Sequence, residues 1–368
     1  MRSAVIGCGR MGAFTSESVV RYSPACWMPL SHAEAIRLDP RLELTALCDS
    51  HPATLERAAQ KYGVLKIYED HRRLLEKEAP VLVGIATRTI GRTQIIHDAV
   101  GAGVRALHIE KPLCNSLREL ESLRAVFADP EVHLSYGTIR RFFRIYRSAR
   151  ALAHSGRFGP LREIRVNMGD GLLCWTHPHS VDLILYCAME GSRVESVHAR
   201  LANVSHGDRR SEIVSDPTVH AASIYFDDGI AGHITRAPGC ALVLSCTEGE
   251  ISVENDGQRL RITARGGDDP YLYDVSADRY EAAATQPGTG SVAPAKQEGT
   301  YAPIAHLADC LTGNPLERQA NAKLKGQILQ GQMLLFAMVQ SHLESRAVDE
   351  TSVDPGLAIL ARTGEKFA

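Results

Sequence analysis

The feature that most restricts what this chain can fold into is its opening, Ser3-Ala4-Val5-Ile6-Gly7-Cys8-Gly9-Arg10-Met11-Gly12. A short apolar run drops straight into G-x-G-x-x-G, and a second apolar run, Leu42 to Cys48, ends on Asp49. That order is what a dinucleotide-binding unit requires. The first glycine makes a tight turn, the second lets the backbone approach a pyrophosphate, and the third permits close helix–strand packing. A helix N-terminus behind the turn offers unpaired N–H groups and partial positive charge to the phosphates. The cofactor contacts expected here are Gly7, Gly9, Arg10, Met11 and Gly12, with Asp49 and Ser50 at the ribose. Asp49 would repel a 2′-phosphate, and the following Ser50-His51 brings no arginine to receive one. NAD is therefore expected in preference to NADP.

Strand-like runs at 3–7, 42–48, 81–86, 105–109 and 132–137 alternate with helical patterns at 52–62, 93–102 and 116–127. Val81 to Ala86 has the near-continuous apolar character of a buried parallel strand. Right-handed crossovers then build an N-terminal Rossmann domain over residues 1–137, a doubly wound parallel sheet with its ligand crevice at the carboxyl ends of the strands. From Gly12 to Asp49 is about 37 residues, where the fingerprint expects ~20. The surplus falls in 13–30, which reads either as an insertion overhanging the nicotinamide or as a plain surface loop.

After residue 138 the rhythm changes. A helix near 142–155, a strand at 161–168 and a helix from about Pro178 precede strand-like runs at 193–203, 218–226, 229–236, 241–246, 249–254 and 258–264. Strands in succession imply that 138–368 is an α+β domain for substrate binding and oligomerisation, built on a large, mostly antiparallel open sheet. The open face of that sheet is a natural interface for a homodimer or homotetramer. Residues 265–300 read as a long loop, and helices near 303–312 and 318–344 end the fold.

Composition removes several function classes. A net charge of −2 and a pI near 6.7 leave no electrostatic footprint for nucleic acid or a membrane surface. The nine cysteines are scattered without a C-x-x-C pair, which argues against zinc or a disulfide framework. No metal is expected, and the reduced thiols suit a cytoplasm. The apolar runs fall far short of the ~20 residues of a membrane span. A strand starting within a few residues of Met1 leaves no room for a signal peptide.

The fifth strand ends in Glu110-Lys111-Pro112, a charged pair and a proline aimed at the nicotinamide end of the crevice. The cluster Arg140-Arg141-Phe142-Phe143-Arg144 opens the second domain. Arg140 there would clamp an anionic substrate group, or the cluster would make interdomain ion pairs. With Gly7-x-Gly9-x-x-Gly12, the Ala86-Thr87 strand end, Gly156-x-x-Gly159-x-Leu161 and His179-x-x-Asp182, the chain resembles the glucose–fructose oxidoreductase, inositol dehydrogenase and rhizopine catabolism family of NAD(P)-dependent oxidoreductases.

The resemblance implies a dehydrogenase or ketoreductase acting on a sugar, sugar derivative or cyclitol. It makes Lys111 the group beside the reacting hydroxyl, with a cis Lys111–Pro112 bond, and Glu110 its partner at the cofactor. It makes His179 the proton acceptor, with Asp182 one helical turn away to orient the ring or bind a hydroxyl. Two positions depart from the family pattern. Trp175 and His177 stand where an aspartate and a glycine are usual, so either His177 supplies the polar contact or Trp175 walls the sugar face. The strand end reads Ala86-Thr87-Arg88 with Arg92 beyond, in place of A-T-P and a histidine. Thr87, Arg88 and Arg92 are expected to face the cofactor, Arg88 reaching its pyrophosphate or an anionic substrate group. Two other activities fit the same fold: reduction of an imine or enone, and dinucleotide sensing without catalysis.

Overall fold

The computed structural model of the protein describes residues 1–15, 17–275 and 298–360. The first half alternates β1 (Arg2–Ile6), α1 (Glu17–Tyr22), α2 (His32–Leu38), β2 (Glu43–Cys48), α3 (Pro52–Tyr62), β3 (Lys66–Tyr68), α4 (His71–Glu78), β4 (Leu82–Ile85), α5 (Arg92–Gly101), β5 (Ala106–Ile109), α6 (Leu117–Ala128) and β6 (His133–Tyr136). Its six strands pair in parallel in the order β3-β2-β1-β4-β5-β6. All four residues of β4 and of β5 are buried, as strands covered on both faces must be. Helix boundaries follow local chemistry. Pro52 opens α3 and Gly63 closes it at φ 65°, while Ser116 and Glu119 cap the start of α6 reciprocally. The strand order reverses between β1 and β4, so the turns after those two strands flank the crevice.

The surplus segment after Gly12 is spliced into the phosphate helix behind its first turn. Ala13 and Phe14 donate their N–H groups back to the Gly9 carbonyl at 2.9 and 3.0 Å. The chain then leaves through α1 and a short 3-10 turn, Ala25–Trp27. It returns at α2, where His32 N–H and Ala33 N–H donate to the Met11 and Gly12 carbonyls at 2.8 and 2.9 Å. The helical hydrogen-bond ladder thus continues across a gap of some twenty residues of sequence.

The second half contains α7 (Arg144–His154), β7 (Leu161–Asn167), α8 (His177–Cys187), β8 (Val194–Ala202), β9 (Glu212–Ile213), β10 (Thr218–Phe226), β11 (Ala231–Thr235), β12 (Ala241–Cys246), β13 (Gly249–Glu254), β14 (Arg259–Arg265), β15 (Leu272–Val275), α9 (Tyr301–Leu311), α10 (Pro315–Glu344) and β16 (Ala358–Ile359). Eight strands form one sheet, β15-β14-β13-β12-β7-β11-β10-β8, antiparallel apart from the β7–β11 pair. The expected loop at 265–300 is a strand at its start, β15, and its stretch 276–297 lies outside the described residues. The last helices reach back to the first sheet. Ile304, Leu307 and Ala308 of α9 share a core with Val5, Ile36 and Leu47. Asn321 of α10, fully buried, accepts the Leu134 N–H and donates to the Leu134 carbonyl.

Candidate active site

The glycines of the first turn differ in what surrounds them. Gly7 has φ +91°, and a Cβ on it would lie 2.7 Å from the Ala86 carbonyl carbon and the Thr87 nitrogen. A Cβ on Gly12 would lie 1.7 Å from the Gly7 carbonyl oxygen. Gly9 has no atom within 4 Å of where its Cβ would be. Two glycines are therefore demanded by the fold, and the middle one leaves its backbone open to a phosphate. Asp49, at the end of β2, accepts the Cys8 N–H at 2.6 Å and the His51 N–H at 2.8 Å. Across the turn, the buried Thr87 hydroxyl has no partner among the described residues. Arg10, Ser50 and Arg88 are exposed, and Met11 is half-buried. An open glycine, an anchored carboxylate and an unsatisfied hydroxyl around one turn fit a dinucleotide.

Arg92 departs from expectation. It is buried, and its guanidinium donates to the carbonyls of Thr87, Glu110 and Pro112. Its charge ties the turn after β4 to the end of β5, which gives it a scaffolding position in place of a cofactor contact.

Lys111 follows β5 with a cis bond to Pro112. Its Nζ donates to the Trp175 carbonyl at 2.7 Å and lies 3.7 Å from the centre of the Trp175 ring. A cation over an indole face is a favourable pairing, and it carries the ammonium from the first lobe onto the segment that leads into α8. His179 sits in the first turn of that helix. Its Nδ1 is buried and has no hydrogen-bond partner among the described residues. Burial foremost, then the positive charges of Arg140 and Lys111, hold its pKa well below the ordinary imidazole value. The ring is therefore held in its neutral form, with one nitrogen free of any hydrogen-bond partner among the described residues.

Asp182 does not orient that ring. Arg141 takes it in a two-point ion pair, Nε to Oδ2 at 3.0 Å and Nη2 to Oδ1 at 2.8 Å. Burial pushes the Asp182 carboxyl up, and Arg141 offsets this only in part. His177 likewise corrects an expectation. It is fully buried, Nδ1 pairs with the Ser180 hydroxyl at 3.0 Å, and burial pushes its pKa down to about 4. A ring without exposed surface packs the helix start and offers nothing to a substrate. Trp175, half-buried under Lys111, presents the indole.

Arg140 is held from two sides. Asp256 accepts from its Nε at 2.7 Å and its Nη2 at 3.1 Å, and the guanidinium lies 4.5 Å from the Trp27 ring centre. Trp27 belongs to the spliced segment, and its Nε1–H donates to the Asp256 carbonyl at 3.2 Å. The segment therefore lies against Arg140 and the Asn255–Gly257 turn, flanking an open cavity of about 520 Å³ lined in part by Pro24, Trp27, Cys240 and Asp256. Asp256 was not anticipated from the sequence, and Trp27 only as part of the surplus segment 13–30. The Asn255-Asp256-Gly257 turn, all three residues at positive φ, was the one local signal for the first of them.

Residues 1–138 match the family described as an oxidoreductase family with an NAD-binding Rossmann fold. The chain is 24% identical over 251 residues to scyllo-inositol 2-dehydrogenase (NAD(+)) of Bacillus subtilis, covering 64% of this chain and 66% of that one. It is 25% identical over 170 residues to myo-inositol 2-dehydrogenase of Thermotoga maritima, covering 46% of each. The alignments thus span just under two thirds of the first relative and about half of the second. Among solved structures, an oxidoreductase domain protein of Kribbella flavida superposes with a TM-score of 0.67 at 21% identity, covering 94% of this chain and 98% of that one. The WlbA dehydrogenase of Bordetella pertussis, in complex with NADH and UDP-GlcNAcA, superposes at 0.68 with 18% identity, over 94% and 98%. These superpositions show the fold in both halves. The family match covers residues 1–138, the first sheet with its helices, and over that stretch the chain is similar to an oxidoreductase family with an NAD-binding Rossmann fold.

Proposed function

We propose that the protein is an NAD-dependent dehydrogenase of a sugar, sugar derivative or cyclitol, interconverting a carbinol and a ketone. One observation carries the reading: the Lys111 ammonium crosses to the Trp175 carbonyl at the threshold of α8, the helix whose first turn carries His179 with an unpartnered nitrogen. When bound, the nicotinamide supplies the two-electron hydride chemistry. The protein moves the proton and steadies the oxygen. His179 accepts the hydroxyl proton during oxidation and returns it during reduction. Lys111 donates a hydrogen bond to the oxygen and stabilises its developing charge. Gly7, Gly9, Arg10, Met11 and Gly12 hold the pyrophosphate, Asp49 and Ser50 the ribose, and Thr87 and Arg88 the other wall. Trp175 offers its ring face to the substrate, and Arg140, fixed by Asp256 and Trp27, faces the substrate's polar end.

The relatives named as inositol dehydrogenases support a polyhydroxylated substrate. The open antiparallel sheet suits a homodimer or homotetramer. All nine cysteines are free thiols, which suits the reducing cytoplasm. Among the described residues, no helix is long and apolar enough to cross a membrane. The test is a panel of cyclitols, aldoses and their oxidised forms with NAD or NADP, alongside imines and enones, read by reduced-cofactor absorbance. Turnover of a polyol with NAD supports the proposal. NAD binding without turnover across the panel contradicts it and favours a sensor.

A further inference from the structure

Beneath the candidate site lies a buried row of three side chains that the proposed chemistry does not use. His32 Nε2 is 3.1 Å from Glu110 Oε1, and the His32 and His108 rings meet edge-on with centroids 4.5 Å apart. His108 Nδ1 in turn pairs with the Ser135 hydroxyl at 2.8 Å. Both histidines are fully buried and Glu110 is 5% exposed. The sheet is shaped to take them. A Cβ on Gly84 would lie 2.7 Å from His32 Nδ1, and one on Gly137 would lie 2.8 Å from Glu110 Oε2. The three donors lie within 4.8 Å of one another, but no fourth joins them among the described residues. A structural zinc takes four ligands; the row is instead joined by one hydrogen bond, His32 to Glu110, and one ring contact, His32 to His108.

We infer that His32 is a positioning residue for Lys111, acting through Glu110. The main chain of His32 is hydrogen-bonded to the cofactor turn at Met11, and its ring is bonded to Glu110. The other Glu110 oxygen accepts the Lys111 N–H at 3.3 Å. One residue thus joins the phosphate turn to the lysine. A buried carboxylate stays ionised only if it is paired and hydrogen-bonded, and His32 is its side-chain partner. Burial alone would push the Glu110 carboxyl up. The His32 hydrogen bond and the charges of His32 and Lys111 outweigh that and hold it at about 2. The charged or titratable groups facing it are His32 from α2, His108 and Lys111 from β5 and its end, and Tyr136 from β6. Arg92 from α5 donates to the Glu110 main-chain carbonyl. The inference rests on the proposed role of Lys111.

The test compares His32→Leu, His32→Gln, which keeps an N–H donor, and Glu110→Gln. Three readouts apply: Glu110 titration by carboxyl NMR in the unliganded protein, NAD affinity, and the pH dependence of kcat. In His32→Leu, the Glu110 titration should rise by about one unit or more, because the carboxylate loses the side-chain hydrogen bond that favours its charged form. Its kcat should gain a new acid limb, falling as the raised carboxyl protonates, with KM for the polyol and NAD affinity little changed. His32→Gln should restore most of the wild-type profile, and Glu110→Gln should be slow without that limb. If His32→Leu does not fold, His32→Gln against Glu110→Gln makes the same comparison. A folded His32→Leu protein with wild-type Glu110 titration and kcat profile overturns the inference. Failure of the dehydrogenase proposal looks different: wild-type protein that turns over no polyol, while Glu110 still titrates measurably in both proteins.

Discussion

Truncating Lys111 to alanine removes an ammonium that the Trp175 carbonyl and ring hold in place, and His179→Ala removes the neutral base beside it. Each is expected to lower kcat by ~10²-fold or more, with NAD affinity by fluorescence titration within about twofold of wild type. Wild-type turnover in both variants would refute the assignments. The pH profile separates His179 from an ordinary imidazole. Its folded pKa lies well below the usual value, because of burial and then the Arg140 and Lys111 charges. The unprotonated form needed for oxidation therefore persists as pH falls through about 6.5, and kcat/KM should decline only at lower pH. Arg140→Gln deletes one of those cations, so the decline should move upward. A decline centred on the ordinary imidazole value in wild type would contradict the account. At this scale Lys111 and His179 were visible in the sequence because their signatures are local. The partners of Asp182 and Arg140 were not, since Arg141 and Asp256 find them only after folding.

The phosphate turn makes its own prediction. Gly9→Ala places a methyl where no protein atom lies within 4 Å, so the melting temperature of the unliganded protein should hold. NAD should bind at least ~10-fold more weakly, about 1.4 kcal/mol, because the backbone no longer approaches the pyrophosphate. Gly12→Ala drives a methyl to 1.7 Å from the Gly7 oxygen. It should destabilise the fold itself by at least the ~1–3 kcal/mol typical of overpacking. Equal effects of the two on unliganded stability would show that the open side of Gly9 has been misread. Most elements were legible because the buried strands are continuous apolar runs and the second-half strands alternate. The short edge strands β3 and β15 were not, since their residues are largely exposed and carry no pattern. The return of the spliced segment to Met11 and Gly12 is a tertiary hydrogen-bond match, for which the sequence offers only a surplus of length.

Across the whole molecule, the last helices bind the two sheets together. α10 packs on β6 and α6 at one side and on β8 and α8 at the other, and α9 completes the core beneath β1 and β2. Unfolding by urea should therefore be a single transition, followed by circular dichroism and tryptophan fluorescence alike. Asn321→Leu leaves the buried N–H and C=O of Leu134 without partners, each costing about 1–3 kcal/mol. Stability should fall by roughly 2–4 kcal/mol, and an unchanged midpoint would deny α10 its linking part. On the proposed function, the two sheets bring one lysine and one histidine to a single oxygen. A crystal structure with NAD and a bound polyol tests that directly. The account predicts Lys111 Nζ and a His179 ring nitrogen both within ~3.2 Å of one hydroxyl oxygen whose carbon faces C4 of the nicotinamide. A polyol whose oxidisable carbon faces C4 with its oxygen beyond reach of either side chain would contradict it.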